Sequence, residues 1–114
     1  MDTGLQPQAL SRARGSLIRQ LLREKQVRSS EGAFVVEGAK PCHDLISQHP
    51  QVIQCLLVSP RYLRAETDED RSRRFSLGAR QFVCSDPAYK KLTDVEMPQG
   101  ILAVVQQPQW DEAQ

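Results

Sequence analysis

The residues best able to do chemistry in this sequence are six basic side chains gathered in the segment 12–28. They are Arg12, Arg14, Arg19, Arg23, Lys25 and Arg28. The segment contains one acid, Glu24, whereas the formal net charge of the whole chain is only +1. Such a local excess is typical of a solvated helix face or of a surface that contacts phosphates. We predict phosphate contacts for Arg12, Arg19 and Arg23, which helical spacing places on one side.

The same segment predicts the helix that positions these cations. Apolar residues recur in it at intervals of three and four, which indicates an amphipathic helix over about 10–26. Lys25 would point toward the apolar side if this helix continued, and a charged group does not stay there unpaired. We therefore expect the helix to end near residue 26, followed by a loop at 27–30. Lys25 and Arg28 would then lie across the end of the next strand, near Glu37.

Glu37 is the second candidate functional residue, because it follows the unbroken apolar run Phe34–Val36. This run is rich in β-branched residues and too short for a helix, so it predicts a strand covered on both faces. Gly38 permits a tight turn into the next helix, which leaves Glu37 at the carboxyl end of the strand, where ligands commonly bind. Glu37 either pairs with Arg28 or Lys25 and fixes this turn, or accepts a hydrogen bond from a ligand.

The sequence lacks the residue patterns that nucleotide-cofactor, thiol and zinc sites need. No glycine-rich phosphate loop is present, so no nucleotide cofactor is expected. The three cysteines are widely spaced in apolar patterns, which is typical of buried free thiols in a reducing cytoplasm. His43 is expected to point outward, and no zinc motif surrounds it. The acidic run 66–70 falls in the polar segment 64–74, which we interpret as an exposed, mobile loop or a frayed helix end.

Helical and strand-like patterns alternate along the whole chain. Strands are predicted at Phe34–Val36, Val52–Val58, Arg80–Cys84 and Ile101–Val105. The alternation predicts an α/β fold, a three-layer α/β/α sandwich with a small, mostly parallel four-stranded sheet. We expect residues 1–9 to form a flexible leader, 10–106 one domain, and 107–114 the start of a linker.

The sequence also contains features that indicate where in the cell the protein is located. No apolar segment approaches the roughly 20 residues that a membrane span needs. The N-terminus is polar and lacks the apolar region of a signal peptide. These features, together with the unpaired cysteines, lead us to expect a cytoplasmic location without membrane contact.

Three sequence blocks in a fixed order carry a more specific signal. They read K-Q-V-R at 25–28, G-A-F-V-V-E-G at 32–38 and M-P-Q-G-I-L-A-V-V at 97–105, with the helical segment 85–93 before the last. Their order and separation resemble the N-terminal substrate-binding domain of the SpoU/TrmH family of RNA 2′-O-ribose methyltransferases. The resemblance covers roughly residues 15–110.

The resemblance implies a fold similar to that of small ribosomal proteins that bind kinked RNA. It also implies a parent enzyme that transfers a methyl group from S-adenosylmethionine to a ribose 2′-hydroxyl of rRNA or tRNA. In this family, catalysis belongs to a knotted C-terminal domain that forms the homodimer, and its motifs are absent from these 114 residues. The resemblance therefore predicts an RNA-binding domain, monomeric by itself, with no catalytic residue, cofactor or metal of its own.

On this interpretation the basic residues hold structured RNA. The predicted contacts are Arg12, Arg19, Arg23, Lys25, Arg28 and Lys40, with Glu37 as a structural residue or a further contact. A basic stripe suffices in a nearly neutral chain, because helical RNA is recognised mainly through its shape, backbone and 2′-hydroxyls. The main alternative is a stand-alone protein that binds structured RNA. A protein-interaction module comes next, and a small-molecule enzyme ranks last because no reaction centre is visible.

Overall fold

A mixed β-sheet forms the centre of residues 6–107, the part of the chain that this computed structural model describes. Its five strands are β1 (Gln8–Ala9), β2 (Ala33–Glu37), β3 (Ile53–Val58), β4 (Gln81–Val83) and β5 (Ile101–Gln106). They lie in the order β1-β4-β3-β5-β2. β4 runs parallel to β1 and β3, whereas β5 runs antiparallel to both β3 and β2.

The predicted α/β class is confirmed, but the sheet has five mixed strands rather than four mostly parallel ones. β1 pairs with Phe82 and Val83, and its two residues are too few to show a periodicity in the sequence. β5 is antiparallel because the preceding loop returns the chain to the edge at which β3 ends, where Gly100 accepts the Ser59 N–H at 2.9 Å. Part of the predicted leader is thus a strand, and the predicted linker lies outside the described residues except for Gln107.

Helices cover both faces of the sheet. They are α1 (Arg12–Arg23), α2 (Lys25–Glu31), α3 (Ala39–Gln48), α4 (Pro60–Ala65), α5 (Asp68–Phe75) and α6 (Asp86–Leu92). α1 and α6 bury Ile18, Leu21 and Tyr89 on one face, while α3 and α4 bury Ile46 and Tyr62 on the other. The layers therefore agree with the predicted sandwich. None of the helices in residues 6–107 has the length and apolar character needed to cross a bilayer.

The basic segment forms two helices instead of the single predicted one. Glu24 has an extended backbone that separates α1 from α2. Arg28 reaches back and donates to the Leu21 carbonyl at 2.8 Å, so it satisfies an acceptor in the last turn of α1. Residues 27–30 are helical, not the predicted loop, and α2 ends at Gly32, whose φ of 63° is readily adopted only by glycine.

The polar segment 64–74 was predicted to be an exposed, mobile loop or a frayed helix end, whereas most of it forms an ordered helix. It contains α5, which Thr67 caps by accepting the Asp70 N–H at 3.1 Å. At the other end of α5, the Arg74 guanidinium donates to the two carboxylate oxygens of Glu66 at 2.7 and 2.8 Å. Both side chains are buried, at 5% and 1% exposure. Arg and Glu are buried only when paired, and the composition of the segment does not reveal the pairing.

His43 is buried as well, whereas the sequence led us to expect it at the surface. Its Nε2 lies 2.6 Å from the Tyr62 hydroxyl, and its Nδ1 has no hydrogen-bond partner in the described part of the chain. Burial lowers the pKa of His43, which favours the neutral imidazole. The residue is therefore part of the packing between α3 and α4.

Candidate nucleic-acid interface

A groove between α1 and α6 brings together basic side chains from distant parts of the chain. Its volume is about 660 Å³, and Arg12, Arg19 and Lys91 line it. The small residues Gly15 and Ala88 also line it, so little side-chain volume fills the space between the two helices. We call this surface, with its three cations, the α1–α6 groove.

The cations of the α1–α6 groove keep their charge available. Arg19 Nη1 donates to the Lys91 carbonyl at 2.7 Å, which fixes the guanidinium against α6 without pairing it with an acid. Arg12 and the Lys91 ammonium form no ion pair with any residue in 6–107. Arg23 differs, because its Nη2 lies 2.8 Å from the Asp94 carboxylate. Of the three arginines predicted to contact phosphates together, Arg12 and Arg19 therefore line the groove. The charge of Arg23 is offset by Asp94.

Sequence reasoning missed Lys91, and the topology explains why. β1 lies beside β4, so α1 and α6, which follow these two strands, become neighbours on one face of the sheet. Lys90 and Lys91 stand in the last turn of α6, where the sequence shows two adjacent cations. Nothing in the sequence connects position 91 with position 19, because the pairing of a two-residue strand creates their proximity.

The other predicted basic contacts lie away from the groove. Arg28 is half-buried and is engaged with the Leu21 carbonyl at the end of α1. Lys25 is exposed at the start of α2. Lys40 is exposed on α3, which packs on the opposite face of the sheet, and its ammonium lies 3.5 Å from the Asp44 carboxylate.

The predicted pairing of Glu37 with Arg28 or Lys25 is wrong. Both Glu37 carboxylate oxygens accept from the Thr93 hydroxyl at 2.9 Å, and the Tyr89 hydroxyl lies 3.4 Å from one of them. α2 ends at the beginning of β2, and four further residues of extended chain place Glu37 about 13 Å away. Burial, and secondly the charge of Glu37, raise the pKa of Tyr89, so its hydroxyl stays a donor.

A cavity of about 430 Å³ lies at the edge of the sheet where β3 and β4 end and β5 begins. Its lining includes Ser59, Arg61, Asp86, Lys90, Glu96, Met97 and Gly100. The Asp86 carboxylate accepts the Arg61 backbone N–H at 3.0 Å, and this bond lowers the pKa of Asp86. Gly100 is required here, because its φ is 92° and an added Cβ would lie 2.2 Å from Ser59 Oγ. We call this space the edge cavity.

Burial also determines the chemistry of the cysteine thiols in the described residues. Burial raises the pKa of the Cys42 thiol to about 12 and that of Cys84 to about 11, which keeps both thiols protonated and weakly nucleophilic. Within residues 6–107, no three His, Cys, Asp or Glu side chains are grouped to hold a metal ion. What the arrangement can do is bind a polyanion along the groove and a small, nearly neutral group in the edge cavity.

Solved structures similar to this chain are methyltransferases. The SpoU methyltransferase AviRb from Streptomyces viridochromogenes, in complex with the cofactor AdoMet, superposes with a TM-score of 0.66 at 22% identity, over 89% of this chain and 35% of that one. A putative RNA methyltransferase of the TrmH family from Porphyromonas gingivalis gives 0.59 at 26% identity, over 90% and 38%. An RNA 2′-O ribose methyltransferase gives 0.62 at 21% identity, over 93% and 39%. The chain thus spans less than two fifths of the length of these proteins.

No curated protein sequence matches the chain at a significant level. A protein family does match, over residues 17–103, and it is described as the MRM3-like substrate binding domain. The match includes most of the helices and strands that form the two cores, and it confirms the resemblance carried by the three sequence blocks. This chain belongs to the MRM3-like substrate-binding domains of the SpoU/TrmH-type RNA methyltransferases.

Proposed function

We propose that this chain binds structured RNA, rRNA or tRNA, for an enzyme that methylates ribose 2′-hydroxyls with S-adenosylmethionine. The observation that carries the proposal is the α1–α6 groove, where Arg12, Arg19 and Lys91 gather on one surface without an acidic partner in the described residues. RNA phosphates are the natural occupants of such a surface, because each contact releases condensed counterions.

The geometry of Arg19 suits a phosphate backbone. Its bond to the Lys91 carbonyl uses one donor of the guanidinium and leaves the rest of the planar fork free. Because the acceptor is a neutral carbonyl, the side chain is oriented without loss of its positive charge. A cation that is already oriented loses less conformational entropy when a phosphate binds.

We assign methyl transfer to a further domain of the parent protein. The similar structures are methyltransferases of which this chain spans 35–39%, and AviRb was solved with AdoMet. The parent is proposed to be a cytoplasmic homodimer joined through that domain, while this domain is monomeric. Two RNA-binding domains on one dimer would raise the overall affinity through effective concentration, so the isolated chain is expected to bind weakly.

The remaining basic residues are proposed as peripheral contacts. Arg23 and Lys25 continue the basic surface from α1 into α2, and Lys40 lies on the opposite face. Arg28 contributes mainly by closing the end of α1. These positions should each change RNA affinity less than Arg12 or Lys91.

Fluorescence anisotropy with rRNA and tRNA fragments at several salt concentrations tests the proposal. Three phosphate contacts predict a log–log salt slope of about −2 to −2.7, or a loss of affinity of about 20- to 40-fold between 50 and 200 mM salt. The variant Arg12→Gln/Lys91→Gln should reduce the slope by about 1.5. Its charge-matched control is Arg64→Gln/Arg71→Gln, which removes two cations from α4 and α5 and should leave the slope nearly unchanged.

Equal losses in the two double variants would refute the groove as the binding surface. Thermal unfolding of each variant shows whether a loss of affinity reflects a loss of folded protein. The alternative function, a stand-alone RNA binder, predicts the same slopes but no incorporation of a methyl group into RNA by the parent protein with S-adenosylmethionine.

A further inference from the structure

The loop between α6 and β5 presents apolar side chains to solvent. Met97 is 73% exposed and Val95 is 44% exposed, and among residues 6–107 these are the large apolar side chains with high exposure. Met97 lines the edge cavity and a neighbouring cavity of about 350 Å³. Val95 lines neither of them. The two residues therefore form a natural pair of test and control.

Hydrogen bonds hold this loop, so its exposed apolar surface is built into the fold. The Thr93 hydroxyl donates to Glu37 and accepts the Val95 N–H at 3.1 Å. Lys90 Nζ donates to the Val95 carbonyl at 3.1 Å and to the carbonyl that follows it. Gln99 Oε1 accepts the first backbone N–H of α3 at 2.7 Å. The loop is thus attached at both ends and near its middle.

Arg61 stands beside Met97 in both cavities. Its backbone N–H is bonded to Asp86, but its guanidinium forms no hydrogen bond or ion pair with any described residue. A planar cation that no hydrogen bond holds, close to an apolar side chain, offers a surface on which flat rings stack. Arg61 and Lys90 are balanced by Asp86 and Glu96 in the lining of the edge cavity, so the space is nearly neutral.

We propose that the edge cavity receives one unpaired nucleobase of the RNA held in the α1–α6 groove, an inference that rests on the proposed function. A base offers flat faces to Met97 and Arg61 and polar edges to Asp86. The balanced charges favour a neutral ring over an isolated phosphate. The volume of about 430 Å³ falls in the range of roughly 300–1,000 Å³ that is common for small-ligand sites.

The two sites are continuous along α6. Lys90 lines the edge cavity and its neighbour Lys91 lines the α1–α6 groove. A backbone that follows the groove therefore passes close to the cavity, and a base that is not paired in a stem can turn into it. Bases that are splayed out of a helix are the usual targets of specific RNA recognition.

Two hairpin RNAs that differ only by one unpaired nucleotide in the stem provide the test, with the full 114-residue chain as the protein. The wild-type chain should bind the hairpin with the unpaired nucleotide about fivefold tighter or better, the lower limit for one stacked base. Met97→Ala and Arg61→Gln should abolish this preference. Their controls, Val95→Ala and Arg71→Gln, change the same loop or the same charge outside the edge cavity and should keep it.

The outcomes separate this inference from the proposed function. If the wild-type chain binds both hairpins equally, with the expected salt slope, the base site is refuted and the groove stands. If Met97→Ala lowers affinity for both hairpins by the same factor, the base site is also refuted. If no RNA binds at low salt, both proposals fail. Both proposals are supported if two results are obtained together. Met97→Ala and Arg61→Gln alone lose the preference, and Arg12→Gln/Lys91→Gln weakens the binding of both hairpins by the same factor.

Discussion

Arg74→Ala is the substitution that most directly tests the energetics of the α4–α5 region. It leaves the Glu66 carboxylate, with its side chain only 1% exposed, without the partner that donates to both of its oxygens. Removing one partner of a buried ion pair costs about 3–5 kcal/mol, because the remaining charge stays desolvated. Arg71 Nε lies 3.9 Å from Glu66 and compensates in part. We therefore expect a loss of about 3 kcal/mol, a large share of the roughly 5–15 kcal/mol that stabilise such a domain.

Urea unfolding followed by far-UV circular dichroism measures this loss. Arg73→Ala is the matched control, because Arg73 is the adjacent residue on α5 and its ion pairs with Glu69 and Asp70 are partly exposed. Such pairs contribute about 1 kcal/mol or less. The double variant Glu66→Leu/Arg74→Met should recover most of the stability, since apolar residues of similar size often replace a buried pair without cost. If Arg74→Ala costs no more than Arg73→Ala, the pair does not stabilise the fold as argued.

Two further predictions concern buried groups. The pKa of His43 is lowered below its usual 6.5 in the fold, so the unfolded chain binds the proton first as pH falls. The contribution of His43 to the unfolding free energy should thus be fully present above pH 6.5 and decline below it. In urea unfolding at pH 8 and pH 5, His43→Gln should flatten this decline, and an equal decline in both proteins would contradict the argument. Gly100→Ala should destabilise by more than about 2 kcal/mol, because φ is 92° and the new Cβ meets Ser59 Oγ. Gly32→Ala, with φ 63° and nothing within 4 Å, should cost only about 1 kcal/mol by the same measurement.

The features predicted well from the sequence are those that local patterns encode. The run Phe34–Val36 is β-branched and uninterrupted, and it forms β2 at the place expected. Ser85 followed by Asp86 and Pro87 predicts a helix start, and Ser85 accepts the Ala88 N–H at 3.2 Å as the cap of α6. Such features need only neighbouring residues, and so they are visible before the chain is folded.

The features that were missed depend on partners far away in the chain. β1 is a strand only because β4 lies beside it, and this pairing in turn brings Lys91 to Arg19. Pairing of Glu37 with Lys25 or Arg28 was predicted because these residues are close in the sequence. The length of β2 separates them in the fold. The choice of partner is a property of the assembled sheet, which local patterns do not contain.

The Glu37–Thr93 bond shows how the sequence blocks act together in space. Glu37 belongs to the block 32–38, and Thr93 closes the helical segment that precedes the block 97–105, 56 positions away. Their bond at 2.9 Å ties the end of β2 to the loop that carries Met97. β5 then runs away from this edge, and at its far end Gln107 donates to the Gly32 carbonyl at 2.7 Å. Six residues of extended strand separate the two edges by about 20 Å. The Glu37–Thr93 bond therefore ties the sequence blocks together at the edge that carries the cavity, remote from the place where β5 ends.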